Sequence, residues 1–169
     1  MKKGVPMKKS DIALTIVCLF AFVYTSVWVH VFLKSRAELG RGDELAASIP
    51  NYYKAYAMLL PRKEANVLSG AEKDQFEQVQ YDYFQGVVKA VTAFDNCLHF
   101  YTPFNQYLPR AAKALMDIGD DCLNKNEFHL ALSAYRTVRI SPDSGWVESA
   151  DQKIKETYAK MELLKAQEQ

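Results

Sequence analysis

The side chains that could perform acid–base chemistry in this chain are few and scattered. Asp120 and Asp121 are adjacent carboxylates, and paired carboxylates are the groups that act as general acid and general base. On a helix, however, neighbouring residues point about 100° apart, so these two carboxylates do not converge on one substrate atom. A solvated helix face explains the pair better than a catalytic site.

The histidines and cysteines of the soluble part lack the spacing of a metal or nucleophilic site. His99 and His129 have no His or Cys three or four residues away, and Cys97 and Cys122 have no CxxC spacing. The chain also contains no Gly-rich phosphate loop, nucleophile elbow or HExxH motif. We therefore expect no catalytic residue, metal, cofactor or small-molecule substrate.

Two interpretations of Cys97 and Cys122 are open from the sequence. In an oxidising compartment a disulfide between them is chemically permitted. Their apolar helical surroundings instead favour two buried free thiols.

The charge pattern excludes one class of partner. The chain has 21 basic and 20 acidic residues, and its formal net charge is +1. No basic patch or basic-aromatic stripe stands out, so nucleic acid is not an expected partner.

The segment Ile12 to Leu33 is the strongest single element of the sequence. These 22 consecutive residues contain no Asp, Glu, Lys, Arg, Asn, Gln, Gly or Pro. As a helix they extend about 33 Å, enough to cross a hydrocarbon core of about 30 Å. The run is longer than the roughly 7–15 residues of a cleavable signal and no Ala-x-Ala site follows it. We therefore predict an uncleaved signal-anchor that contacts the lipid bilayer.

Basic residues flank this span on both sides. Four lysines lie in the tail formed by residues 1–11, whereas Lys34, Arg36 and Arg41 follow the span. The positive-inside tendency then predicts a cytoplasmic amino terminus and an extracytoplasmic domain, as in a bacterial inner-membrane protein with a periplasmic domain. Trp28 and His30 lie toward the second end of the span, where their rings suit the membrane interface.

The chain after the span is expected to be all-α, because apolar residues recur every three or four positions. Residues 34–68 form a juxtamembrane linker and helix in this interpretation. Gly40 and Gly42 predict a flexible joint there, and a helix follows from about Asp43 to Leu60 until Pro61 stops it.

A helical domain is predicted over residues 69–164. Ser69 and Glu72 have the spacing of a capping box, which begins a helix. Gln85-Gly86 predicts a turn, and a second helix runs from there to Thr102-Pro103. This would be a first helix-turn-helix pair.

A second pair and a final helix follow. Residues 111–123 and 128–140 are the two helices of the pair, and the polar segment 124–127 joins them. The last helix is capped by Asp143 or Ser144, and residues 165–169 form a frayed tail. Its apolar stripe recurs every four residues, at Trp146, Ala150, Ile154 and Tyr158.

The two pairs are similar to each other. Residues 90–94 match residues 131–135 in type at an offset of 41 residues. The second pair also contains Ile118-Gly119, Asn126-Glu127-Phe128, Ala131, Tyr135 and Ser141-Pro142. With these residues the repeat resembles the tetratricopeptide repeat family, clearly over 112–145 and weakly over 71–104. The spacing exceeds the roughly 34 residues of that family.

The resemblance implies a binding surface rather than an active site. In such repeats the first helices of successive pairs line a groove that takes a peptide or helix of a partner. The residues that this places in the groove are Lys113, Met116, Asp120, Leu123 and Asn124, with Gln75, Val79, Asp82 and Tyr83 from the weaker unit. Met116 and Asp120 stand where a carboxylate-clamping repeat has Lys and Asn, so that clamp is disfavoured.

The aromatic segment from Phe100 to Pro109 has two interpretations. Its rings either seal the junction between the two helical pairs or form an exposed anchor for a partner through Tyr101, Phe104 and Tyr107.

The sequence as a whole predicts a non-enzymatic, membrane-anchored adaptor whose extracytoplasmic helical domain binds a protein partner or joins an envelope complex. The alternative is a small subunit of a respiratory or transport complex that assembles mainly through its transmembrane helix.

Overall fold

The computed structural model describes residues 9–100 and 105–167. All regular elements in these two stretches are α-helices, which confirms the predicted fold class. The helices are α1 (Lys9–Glu64), α2 (Gly70–His99), α3 (Tyr107–Asn124), α4 (Phe128–Val138) and α5 (Ser144–Gln167).

Helix α1 contains the predicted span and continues without a break into the domain. It has 56 residues, which corresponds to a rod of about 84 Å. Among the described residues it is the one helix that is long and apolar enough to cross a membrane. The large apolar side chains near its start are exposed, whereas Leu39, Ile49 and Tyr56 are buried in the domain.

The flexible joint predicted at Gly40 and Gly42 is wrong. Helix α1 passes through both residues, and Gly42 is a point of close approach to α2: a Cβ atom there would lie 2.6 Å from Cε1 of Phe94. This glycine is needed for space rather than for flexibility. Pro61 also lies inside α1 and does not stop it as expected, and Pro50 lies in the interior of the same helix.

The turn predicted at Gln85-Gly86 is also wrong, because α2 is one helix of 30 residues. Gly86 is a second point of close approach to α1, since a Cβ atom there would lie 2.8 Å from Cδ2 of Tyr52. Residues 71–104 therefore do not form a helix-turn-helix pair. The partner of α2 is the second half of α1, which runs antiparallel to it.

The remaining helices begin near the predicted positions. At the start of α2 the Ser69 amide donates to Oε2 of Glu72 over 3.0 Å, as the capping box requires. Helices α3, α4 and α5 correspond to the predicted second pair and final helix, but α3 begins earlier, at Tyr107, and α4 ends at Val138. Helix α5 continues to Gln167, so residues 165–167 are helical rather than frayed as predicted. Their shared core includes Leu115, Cys122, Tyr135, Val138 and Ala150, all fully buried.

A polar network holds α3, α4 and α5 together. The Tyr135 hydroxyl donates to Oδ1 of Asp120 over 2.7 Å, and Lys153 Nζ lies 2.8 Å from the same oxygen. Asp120 thus belongs to α3 but is bound by α4 and α5. One carboxylate therefore connects the last three helices.

Candidate interaction groove

An open groove separates the second half of α1 from α3. Its volume is about 430 Å³, which is within the range of ligand and peptide pockets. The α1 side presents Asp43, Ala46, Ile49, Pro50 and Tyr53, and the α3 side presents Ala114, Asp117, Ile118 and Asp121, with Phe94 behind and Lys125 at one end. We call this set of residues the α1–α3 groove.

The groove has an apolar floor. Ile49, Phe94 and Ile118 are buried core residues whose side chains form its base, and the small side chains of Ala46 and Ala114 keep it open. Such a floor suits the apolar face of a helix or an extended segment, which loses water on both sides when it docks.

The rim of the groove is charged and paired. Asp43 lies 3.7 Å from Arg110, Asp117 lies 2.7 Å from Lys113, and Asp121 pairs with Lys125. The two pairs with Arg110 and Lys113 are exposed, and exposed pairs contribute little to stability, about 0.2–1 kcal/mol each. They can be exchanged for pairs with a partner at small cost, which makes them suitable for specificity.

Lys125 closes one end of the groove. Its Nζ lies 3.9 Å from the centre of the Tyr53 ring, and its side chain is only 16% exposed. The Tyr53 ring in turn lies 5.3 Å from Tyr83, which stacks on Tyr56 at 5.4 Å. Burial, together with the nearby Glu127 carboxylate, raises the pKa of Tyr56 to about 12. Tyr53 therefore lines the groove with the buried rings of Tyr56 and Tyr83 packed behind it.

Pro50 interrupts the hydrogen bonding of α1 at the groove. Proline has no amide hydrogen, so the carbonyl of Ala46 receives no helical hydrogen bond from position 50. Both residues line the groove.

The predicted partner-binding residues of α3 are divided between several environments. Lys113 is exposed and pairs with Asp117 at the rim of the groove, and Asn124 is exposed at the end of α3. Met116 is a buried core residue, Leu123 is half-buried, and Asp120 is bound to Tyr135 and Lys153. The structure therefore does not bring these five residues together on one open surface.

The aromatic residues are placed only in part. Tyr107 is buried at the start of α3 with its ring 4.9 Å from that of Phe32. This matches the interpretation in which the segment seals a junction, although the junction includes α1. Tyr101 and Phe104 lie outside the described residues.

The second wall of the groove comes from α1, not from residues 71–104 as the repeat pattern implied. Tyr83 is fully buried on α2, and Gln75 and Val79 lie on the same helix, outside the groove. The groove residues of α1 carried one usable signal in the sequence. Ile49 and Tyr53 recur at helical spacing together with the buried Tyr56 behind them, and this spacing indicates a helix that packs on the domain.

The two thiols of the domain are free and fully buried. The Sγ atom of Cys97 lies 3.3 Å from the Ser35 hydroxyl. Burial raises the pKa of both thiols, that of Cys122 to about 11. A thiol that stays protonated at neutral pH is a poor nucleophile, so both cysteines serve as core residues here.

The adjacent carboxylates and the histidines have separate surroundings. Asp120 is bound by α4 and α5, whereas Asp121 pairs with Lys125 at the groove. His99 is exposed, with Nδ1 2.9 Å from the carbonyl oxygen of Asp95, and His129 is exposed on α4. In the stretches that the structure describes, no three His, Cys, Asp or Glu side chains group as metal ligands.

Comparison of the chain with protein-family models, curated proteins and solved structures gives no match.

Proposed function

We propose that this chain is a non-enzymatic, membrane-anchored adaptor that binds a protein segment in the α1–α3 groove. The observation that carries the proposal is an apolar-floored groove, one wall of which is the same helix that continues the apolar span. A partner that binds there is held at a fixed place relative to the membrane.

The anchor in this proposal is the segment from Ile12 to Leu33. Most of its side chains are exposed, as lipid-facing side chains are, whereas Phe32 near its end contacts Tyr107 of the domain. Thr25 donates its hydroxyl to the Ala21 carbonyl over 2.8 Å, so this polar group is satisfied within its own helix. The lysine-rich tail favours a cytoplasmic amino terminus, and we propose that the membrane is a bacterial inner membrane with the domain in the periplasm.

The helix order is compatible with a short helical repeat. The α1–α2 and α3–α4 pairs would be two units and α5 a capping helix, with the units shifted from those indicated by the sequence. In repeats of this kind the first helix of each unit faces the partner. Here those helices are α1 and α3, and they form the groove.

Photo-crosslinking in the native membrane tests the proposal. A photoreactive residue at Asp117 lies on the groove, and a matched one at Val88 lies on an exposed face of α2 away from it. We expect a discrete adduct with one identified protein from Asp117 and none from Val88. Filling the groove by Ala114→Phe should reduce that adduct at least tenfold.

Equal adducts from both positions, or an adduct that survives Ala114→Phe, would contradict groove binding.

A second experiment separates the adaptor from a subunit that assembles through its span. Residues 12–33 are replaced by an unrelated apolar helix of equal length. Retention of the Asp117 adduct supports the adaptor, whereas its loss points to assembly within the membrane.

A further inference from the structure

We infer that one end of the helical domain lies in the phospholipid headgroup layer. This end consists of the carboxyl end of α2 and the amino end of α3, with His99, Phe100 and Gln106 at its surface, and we call it the basal end. The inference rests on the proposed membrane insertion of α1. The partner that contacts the basal end in this inference is lipid.

The unbroken helix leaves no spacer between the span and the domain. Ser35 is two residues past Leu33, so it lies about 3 Å further along the axis. Yet Ser35 is already fully buried by the domain. Its hydroxyl accepts a hydrogen bond from Nδ2 of Asn105 over 3.0 Å and lies 3.3 Å from the Cys97 thiol. The domain therefore begins at the level where the span ends.

Aromatic contacts extend the domain into the last turn of the span itself. The Phe32 ring lies 4.9 Å from the ring of Tyr107 and stacks on Trp28 at 5.3 Å. Phe32 is within the apolar run, so Tyr107 shares its level in the membrane. The first turn of α3 must then be at the boundary between hydrocarbon and headgroups.

The chemistry of the basal end suits that layer. Lys34 Nζ lies 5.9 Å from the centre of the half-buried Phe100 ring, and Arg36 is exposed one turn from Phe32. Aromatic rings and basic side chains are the groups that prefer the headgroup region, where they meet both apolar carbon and phosphate. The surface of the basal end is thus continuous in position and in chemistry with the surface of the span.

The polar backbone near the basal end is satisfied from inside. Asn105 donates to the Phe100 carbonyl over 3.1 Å and accepts from the Tyr107 amide over 3.0 Å. Because this asparagine is buried, the Phe100 carbonyl and the Tyr107 amide do not depend on water for these hydrogen bonds. These two groups can therefore lie near a lipid surface at low desolvation cost.

Depth-dependent fluorescence quenching tests the inference on the full chain, one copy per lipid nanodisc. The parent carries Trp28→Phe and Trp146→Phe, and a single tryptophan is introduced as Gln106→Trp at the basal end. The matched control is Gln75→Trp, which is exposed on α2 and lies about 33 Å further along that helix than Cys97. A third variant keeps native Trp28 and carries only Trp146→Phe.

The quenchers are phosphatidylcholines spin-labelled on the headgroup or on the acyl chain. We expect the headgroup label to quench Gln106→Trp at least fivefold more than Gln75→Trp, and either label to quench Trp28. If Trp28 is quenched and Gln106→Trp resembles Gln75→Trp, the basal end stands clear of the lipid and the inference is wrong, although the anchor stands. If Trp28 is not quenched either, the proposed anchor fails as well.

Discussion

At the scale of single residues, the contact between Gly119 and Tyr135 joins α3 to α4. A Cβ atom at Gly119 would lie 2.7 Å from Cδ1 of Tyr135, and this tyrosine is fully buried. Its hydroxyl is held by Asp120, which also binds Lys153. The ring is therefore fixed at both ends and cannot turn aside for a new methyl group.

Gly119→Ala should destabilise the protein by about 1–2 kcal/mol, because overpacking costs about 1–3 kcal/mol and exceeds the gain in helix propensity of up to about 1 kcal/mol. Chemical denaturation followed by circular dichroism measures the change. Gly40→Ala is the matched control, since nothing lies within 4 Å of its Cβ position. It should stabilise α1, and a loss of stability in both variants would contradict this account.

Glu72 makes stability depend on pH in the acid range. Hydrogen bonds from the Ser69 amide and hydroxyl, with support from Arg62, hold the pKa of this carboxyl below its usual value. A depressed carboxyl pKa stabilises the fold above the unfolded value of about 4.3, and that stability is lost as pH falls through the folded value.

Glu72→Gln should therefore lower the denaturation midpoint at pH 7 and have a progressively smaller effect below about pH 4.3, because only the ionised carboxylate is favoured. Thermal unfolding across this pH range measures the difference between variant and parent. Glu77→Gln, an exposed change on the same helix, is the control. A gap that stays constant down to pH 2 would rule out the ionised cap.

At the scale of elements, Pro50 is the irregular point of α1. It lies inside the helix and removes one helical hydrogen bond. It also lines the groove together with Ala46. A residue that weakens its own helix at a candidate binding surface is consistent with a function other than stability.

Pro50→Ala should raise the free energy of unfolding by about 1–2 kcal/mol. The change restores the amide that donates to the Ala46 carbonyl, which stabilises the helix. Part of this gain is offset because alanine leaves the unfolded chain more flexible than proline does. Denaturant titration measures it. Pro142→Ala, in the segment between α4 and α5, has no helical bond to restore and should cost up to about 1 kcal/mol. Shifts of the same sign in both variants would contradict the view that Pro50 leaves one helical hydrogen bond unmade.

Some helices could be predicted from the sequence because their signals are local. The carboxylate of Glu72 begins α2, and the turn at residues 124–127 separates α3 from α4, each through bonds within a few residues. Gly42 and Gly86, by contrast, led to a wrong prediction of a joint and a turn. Glycine is common in turns and also where two helices touch, and only the positions of Phe94 and Tyr52 distinguish these cases.

The groove could not be predicted from the sequence on either side. The α3 residues that line it are Ala114, Asp117, Ile118 and Asp121, whereas the repeat pattern indicated other positions of the same helix. The α1 wall depends on which helix pairs with α2, and that is decided by Leu39, Ile49 and Tyr56, which are buried far from α2 in sequence. Met116 was assigned to the surface although it packs in the core, since the stripe of α3 that faces α2 cannot be identified without α2 in place.

At the scale of the whole molecule, α1 has two environments along one rod. Its first part is exposed and apolar, and its second part is the partner of α2 and one wall of the groove. The anchor and the domain therefore cannot be separated at residue 69, the boundary that the repeat pattern predicted. Any separable unit must keep the part of α1 that follows the span.

Fragment 34–169 should unfold in a single cooperative transition, whereas fragment 69–169 should not fold. The shorter fragment lacks Leu39, Ile49 and Tyr56, whose burial contributes about 1.5–3 kcal/mol each. Their combined loss is comparable with the whole stability of a domain, about 5–15 kcal/mol. Thermal melts followed by circular dichroism and near-ultraviolet spectra compare the two fragments.

Fragment 34–164 is the control, since residues 165–167 are exposed and their removal should change little. A cooperative melt of fragment 69–169 near the midpoint of 34–169 would show that α1 is dispensable to the core.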